Sequence, residues 1–122
     1  DILGFERNHY DKMVHFFQGF TVTVISREVI IRKVIVVSMA WVSFFTFCCA
    51  AAVASVWEGI EWVFVLLVTN QGVVEPSFGF LGEQGYYWDA QSDMFFALVG
   101  SFICLLFFAK YHDNSIRQLT VD

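Results

Sequence analysis

Residues 34–68 form an apolar run of thirty-five residues, broken only by Glu58 and Glu61. As one α-helix it extends about 52 Å at 1.5 Å per residue, against about 30 Å for the hydrocarbon core of a bilayer. Two full crossings would need a turn between them, yet from Val34 to Trp57 there is no Pro and no group of polar loop residues. The expectation is one long helix that tilts, bends near Gly59, or projects past the headgroups.

Such a run leaves little choice of solvent. The chain has 122 residues, of which 57% are hydrophobic and 16% charged, with a mean hydropathy of +0.61. A soluble domain of this size exposes too much of its surface to hide that share of apolar side chains. Fifteen Phe, four Trp and a single Pro suit helices in lipid better than a turn-rich sandwich.

Two further runs complete the reading. Residues 13–31 are mostly apolar, interrupted by His15, Gln18 and the pair Arg27-Glu28, and Arg32 and Lys33 close the segment. Nineteen residues of helix span about 28 Å, close to the hydrocarbon thickness. Residues 94–109 are apolar and extendable at either end. Between them, residues 69–93 carry Gly72, Pro76, Gly79, Gly82 and Gly85 with Glu75, Glu83, Asp89 and Asp93, which reads as a loop. Residues 110–122 read as a polar tail. The sequence thus predicts an all-α transmembrane helical bundle in a single domain, 1–122, with three spans at about 10–32, 34–68 and 92–110.

Charge sets an expected orientation. Arg27, Arg32 and Lys33 surround the first connection and Lys110 and Arg117 lie in the tail, while residues 69–93 contain no Lys or Arg. The positive-inside rule puts the first connection and the C-terminus in the cytoplasm, with the N-terminus and long loop outside. The net charge of −5 argues against a nucleic-acid partner, because phosphate binding needs a basic surface. Cys48, Cys49 and Cys104 lie inside apolar runs without zinc or disulfide spacing, and read as small packing residues. No secretory signal precedes the first run. The chain opens with Asp1 rather than Met, so the expectation is that further residues precede it.

Ionisable groups inside membrane spans are costly, which makes each a functional candidate. Asp11 and His15 are four apart, with Gln18 on the same stripe; Glu58 and Glu61 are three apart; Asp89 and Asp93 are four apart. Each pair therefore shares one helical face. Helix rise carries all three pairs to a similar depth near the outer surface. Five carboxylates and one imidazole at one level cannot all stay charged and unpaired, so protons or a bound cation must relieve the repulsion. Oxygen ligands suit Mg, Ca or Mn, and a His beside carboxylates also suits Zn or Fe. The plainer alternative is a set of interfacial charges and helix caps in water. Arg27 and Glu28 project off the Asp11–His15 stripe on a helical wheel, which suggests snorkelling or an ion pair with another helix. Ala97, Gly100, Ser101 and Cys104 form a small-residue face suited to close helix packing. Trp41, Trp57, Trp62 and Trp88 fit interfacial belts.

The segment RNHYDKMVHFFQGF at residues 7–20, followed by Arg27-Glu28, resembles the signature of the YjdF-type bacterial inner-membrane proteins. The resemblance continues at ASVWEGIEW, residues 54–62, and at FLGEQGYYWDAQSDM, residues 80–94. It implies an all-helical inner-membrane protein whose usual form has further spans before Asp1. It also implies the same polar groups, with Gln84 and Gln91 added to those above. Position 83 is Glu where the family usually has Thr, and position 86 is Tyr where it usually has Asp; the acid lost at Tyr86 weakens any claim that the loop itself binds metal, while Glu83 offers a compensating carboxylate. The Asp-Lys-x-x-His pattern with a late Asp is more remotely similar to the VanZ-like glycopeptide-resistance proteins. The family resemblance implies no reaction.

The leading expectation is a polar site at the outer face that binds a divalent metal or protons. Asp11, His15, Glu58, Glu61, Asp89 and Asp93 are its candidate ligands. One form of this expectation is a metalloenzyme acting on a lipid-linked or small substrate, with His15 or a glutamate as acid/base. The competing reading is a non-catalytic accessory subunit of a larger membrane assembly, in contact with lipid and with other membrane subunits. A transporter is weaker, since three spans seldom enclose a pathway.

Overall fold

The computed structural model describes residues 10–33, 38–70 and 88–118, and among these there are helices and no strand. The first helix, α1, covers Tyr10–Lys33, with Asp11 in its first turn and Arg32 and Lys33 in its last. Both ends carry the charge that the helix dipole favours. Its β-branched residues have modest helix propensity in water. In lipid the balance differs, because a helix is the form in which one segment satisfies all of its own backbone groups.

Helix α2 runs unbroken through Gly59 over Met39–Asn70, 32 residues and about 48 Å of rise. Helix α3 covers Asp89–Ile103 and leads through a π-helical turn, Cys104–Phe108, into α4, Ala109–Gln118. The three pieces form one rod, Asp89–Gln118. The stretch that reads as a polar tail is therefore helical as far as Gln118. Ile116 explains part of this, since its side chain is buried at 4% exposure. Most of the expected loop, together with Glu75, Glu83, Gln84 and Tyr86, lies outside the described residues.

Two helices, Met39–Leu67 and Asp89–Gln118, are long and apolar enough to cross a membrane. Only 22% and 28% of their most apolar windows are buried, which distinguishes them from the core helices of a soluble protein. Trp62, Leu106 and Phe107 are each at least 60% exposed, and leaving such side chains in water costs about 1.5–3 kcal/mol apiece. Helix α1 has the length for a crossing, but Asp11, Lys12, Arg27 and Glu28 set it apart from this apolar pair.

Contacts fix the relative directions. Thr23 Oγ1 donates to Ser101 Oγ at 2.7 Å, and Lys12 lies against Ser92 and Asp93, so α1 and α3 run parallel. His15 reaches Glu58 while Arg27 reaches Ser43, so α2 runs antiparallel to α1. The buried row of α1 is His15, Gly19, Thr23 and Arg27, at a constant spacing of four. This corrects the wheel projection, which sets Arg27 apart from His15. Helices that cross at an angle meet along slanting rows four residues apart rather than along a straight stripe.

The centre of the bundle is small. A Cβ on Gly19 would collide with the backbone carbonyl of Ala97, and one on Gly100 with the backbone carbonyl of Phe16. Ala50, Ala54, Ala97, Thr46 and Ser101 fill the remaining contact at 1% exposure or less. Without a hydrophobic drive between helices in lipid, such close backbone approach is what holds them together. Cys104 is buried beside this seam, whereas Cys48 is exposed.

Candidate functional site

The seam ends at its N-terminal side in a polar layer contributed by all three helices. The first turns of α1 bring Asp11, Lys12 and His15, the late turns of α2 bring Trp57, Glu58 and Glu61, and the start of α3 brings Asp89, Ser92 and Asp93. Spacings of three and four keep each group on the face turned toward its neighbours. His15 is at the centre with 2% exposure.

The two ring nitrogens of His15 face different helices. Nε2 lies 3.6 Å from Asp11 Oδ1, and Nδ1 lies 3.6 Å from Glu58 Oε1. Both separations exceed hydrogen-bond length. The bond that the ring does make is to Gln18 Oε1, 3.1 Å from Nδ1. Glu61 Oε1 accepts from Trp57 Nε1 at 2.6 Å. Two sets of potential ligand atoms gather within 4.8 Å of one another: Asp11, His15 and Asp93, and His15, Glu58 and Glu61. The candidates Asp11, His15, Glu58, Glu61 and Asp93 thus meet around one imidazole. Asp89 stands at the edge, 3.8 Å from Lys12 Nζ.

Lys12 is the group that sequence reasoning passed over. Its Nζ donates to Ser92 Oγ at 2.9 Å and to Asp93 Oδ1 at 3.3 Å, and lies 5.9 Å above the Phe96 ring. A lysine at the edge of an apolar run reads as a residue reaching for water. Here it is 14% exposed and turned inward. It supplies one positive charge against five carboxylates. Glu58 Oε1 and Asp11 Oδ2 are buried with no hydrogen-bond partner, an arrangement that costs free energy unless a proton or cation completes it.

A second polar layer closes the other end. Arg27 is 3% exposed and grips Asp113 of α4 through Nε at 3.1 Å and Nη2 at 2.8 and 2.9 Å, while Nη1 donates to Ser43 of α2 at 3.3 Å. Glu28 accepts from Arg32 at 2.9 Å and lies 3.7 Å from His112 Nε2. These contacts staple α1, α2 and α4, with no unpaired anion in the buried Arg27–Asp113 pair, so this end reads as structural.

Residues 1–114 match a family described as "Predicted membrane protein (DUF2238)". Inner membrane protein YjdF of Escherichia coli (strain K12) is 40% identical over 116 residues, which cover 95% of this chain and 53% of that protein. The chain therefore spans about half the length of the curated relative it matches. No solved structure matches. The chain belongs to the DUF2238 family of predicted membrane proteins, related to a bacterial inner-membrane protein, and is all-helical in its described part.

Proposed function

We propose that this family member is a membrane protein that binds a divalent cation at its His–carboxylate layer, with His15, Glu58 and Glu61 as principal ligands. Asp11, Asp89 and Asp93 supply the surrounding negative charge. The observation that carries the reading is Glu58 Oε1. Its side chain is 10% exposed, it has no hydrogen bond, and it stands 3.6 Å from His15 Nδ1. Two ligands held about 2.1 Å from one metal lie about 3.4 Å apart in a tetrahedral site, close to that separation. Nitrogen with carboxylate oxygen suits Zn, Mn or Fe. Nδ1 gives up its contact with Gln18 Oε1 to take the metal, and Asp11 beside Nε2 then acts as the partner that orients a metal-bound imidazole.

Elemental analysis of the purified chain beside a Glu58→Gln/Glu61→Gln variant tests this. Wild type should carry about one divalent metal per chain and the variant should carry little. Equal metal content in both would remove the metal, leaving protons as the charges that relieve the layer.

A second reading, a non-catalytic subunit of a larger membrane assembly, draws on the aromatic cluster Trp41, Phe44 and Phe45 on α2. Their rings pack at 5.6–5.7 Å and all three are more than half exposed. Mild-detergent purification distinguishes it: copurification of a defined partner supports assembly, and a solitary chain opposes it.

A further inference from the structure

We infer that Lys12 is a tethered cation filling one half of a two-part cation site, and that its ammonium limits the layer to a single divalent ion. This deepens the cation-site reading and rests on it for the His15–Glu58–Glu61 half. Two ligand sets share His15, one toward Glu58 and Glu61 and the other toward Asp11 and Asp93. The imidazole serves them from opposite edges, since Nδ1 faces Glu58 and Nε2 faces Asp11. A neutral imidazole ligates through one nitrogen and keeps a proton on the other, so with Nδ1 on the glutamate-side ion Nε2–H turns to Asp11, and the aspartate side holds its cation through oxygen atoms alone.

The two halves differ in what already occupies them. On the aspartate side, Lys12 Nζ is 3.3 Å from Asp93 Oδ1 and 3.8 Å from Asp89 Oδ1, with Ser92 Oγ accepting at 2.9 Å. Three oxygens from the first two turns of α3 thus surround one ammonium, as they would surround a metal ion. On the glutamate side the described residues place no Lys or Arg against Glu58, and its buried Oε1 is unpartnered. On the aspartate side Asp11 also leaves Oδ2 without a partner. An ammonium is a hydrated point charge on a flexible stem, so cation exchange on the aspartate side requires only that the Lys12 stem swing away.

The test counts Mn²⁺ per chain by electron paramagnetic resonance titration in detergent. Wild type, Lys12→Gln and Lys12→Arg are compared. Lys12→Gln should bind one more Mn²⁺ than wild type, and Lys12→Arg the same number as wild type. Equal counts in Lys12→Gln and wild type would overturn the inference. A wild type without Mn²⁺ beside a Lys12→Gln chain holding one would sink the proposed function yet uphold this inference. Should Lys12→Gln fold only when Mn²⁺ is present, the metal is replacing the ammonium, as inferred. If it stays unfolded in millimolar Mn²⁺, the amine is a structural counterion that no cation replaces, and the inference falls.

Discussion

Arg27 shows how much one buried residue decides in this bundle. The pair with Asp113 uses both carboxylate oxygens, and a guanidinium fork matches that geometry where an ammonium does not. Breaking a buried pair leaves an uncompensated charge and costs about 3–5 kcal/mol. Asp113 is 20% exposed, so Asp113→Asn should fall near the lower end, about 3 kcal/mol. Arg27→Lys, which keeps the charge and loses the fork, should cost about 1 kcal/mol. Unfolding in a graded detergent mixture measures both, and an unaltered Asp113→Asn midpoint would show that Arg27 has other sufficient partners. An ion pair between Arg27 and another helix is an expectation the sequence supports. Its partner was hidden, because Asp113 lies where composition reads only as a polar tail. Lys12 was hidden for a different reason. Its inward turn depends on Asp89, Ser92 and Asp93, which are about eighty residues away in the chain.

At the scale of helices, the meeting of α1 and α3 depends on two glycines. Gly19 and Gly100 let each backbone approach the other's carbonyls, at Ala97 and Phe16. Backbone cannot yield as a flexible side chain does, so Gly100→Ala should destabilise by about 1–3 kcal/mol, the range for overpacking. Gly59 is the control. A Cβ there meets nothing within 4 Å, and Gly59→Ala should be neutral or stabilise by up to about 1 kcal/mol through helix propensity. The same detergent titration ranks the two, and equal midpoints would refute the close crossing. The small face Ala97–Cys104 is legible in sequence as a packing surface, and the single long α2 follows from a run without turn residues. The π turn at Cys104–Phe108 is not legible. Its residues, Cys-Leu-Leu-Phe-Phe, carry no breaker, and a wide turn of this kind reflects what the flanking helix must face. One extra residue rotates α4 by roughly a helical step relative to α3, which bears on whether Asp113 points toward Arg27.

Across the whole molecule the two polar layers lie at opposite ends of a seam of small residues. His15 and Arg27 are twelve residues apart on α1, about 18 Å, with Gly19, Thr23 and Ser101 between them. Charge is divided along the same axis. Arg27, Arg32, Lys33, Lys110 and Arg117 belong to the Arg27 end, whereas Lys12 is the one basic residue among the described residues at the His15 end. The positive-inside rule reads such a division as a cytoplasmic Arg27 end and an outward His15 end. Parallel α1 and α3 flanking an antiparallel α2 fit that orientation if α1 also crosses the bilayer. The mixed face of α1 does not forbid this, because Lys12 and Arg27 are paired with aspartates of other helices rather than turned to lipid. We therefore expect three crossings, with Ser77 outside and Ser115 in the cytoplasm. Single cysteines at these positions, in a chain whose Cys48, Cys49 and Cys104 are replaced by alanine, can be labelled in intact cells with an impermeant maleimide. Cysteine at Ser77 should react directly, and cysteine at Ser115 only after the membrane is opened. Reaction of both from the same side would show that the Asp89–Gln118 rod does not cross the bilayer, which would sink the three-crossing reading and with it the outward placement of the His15 layer.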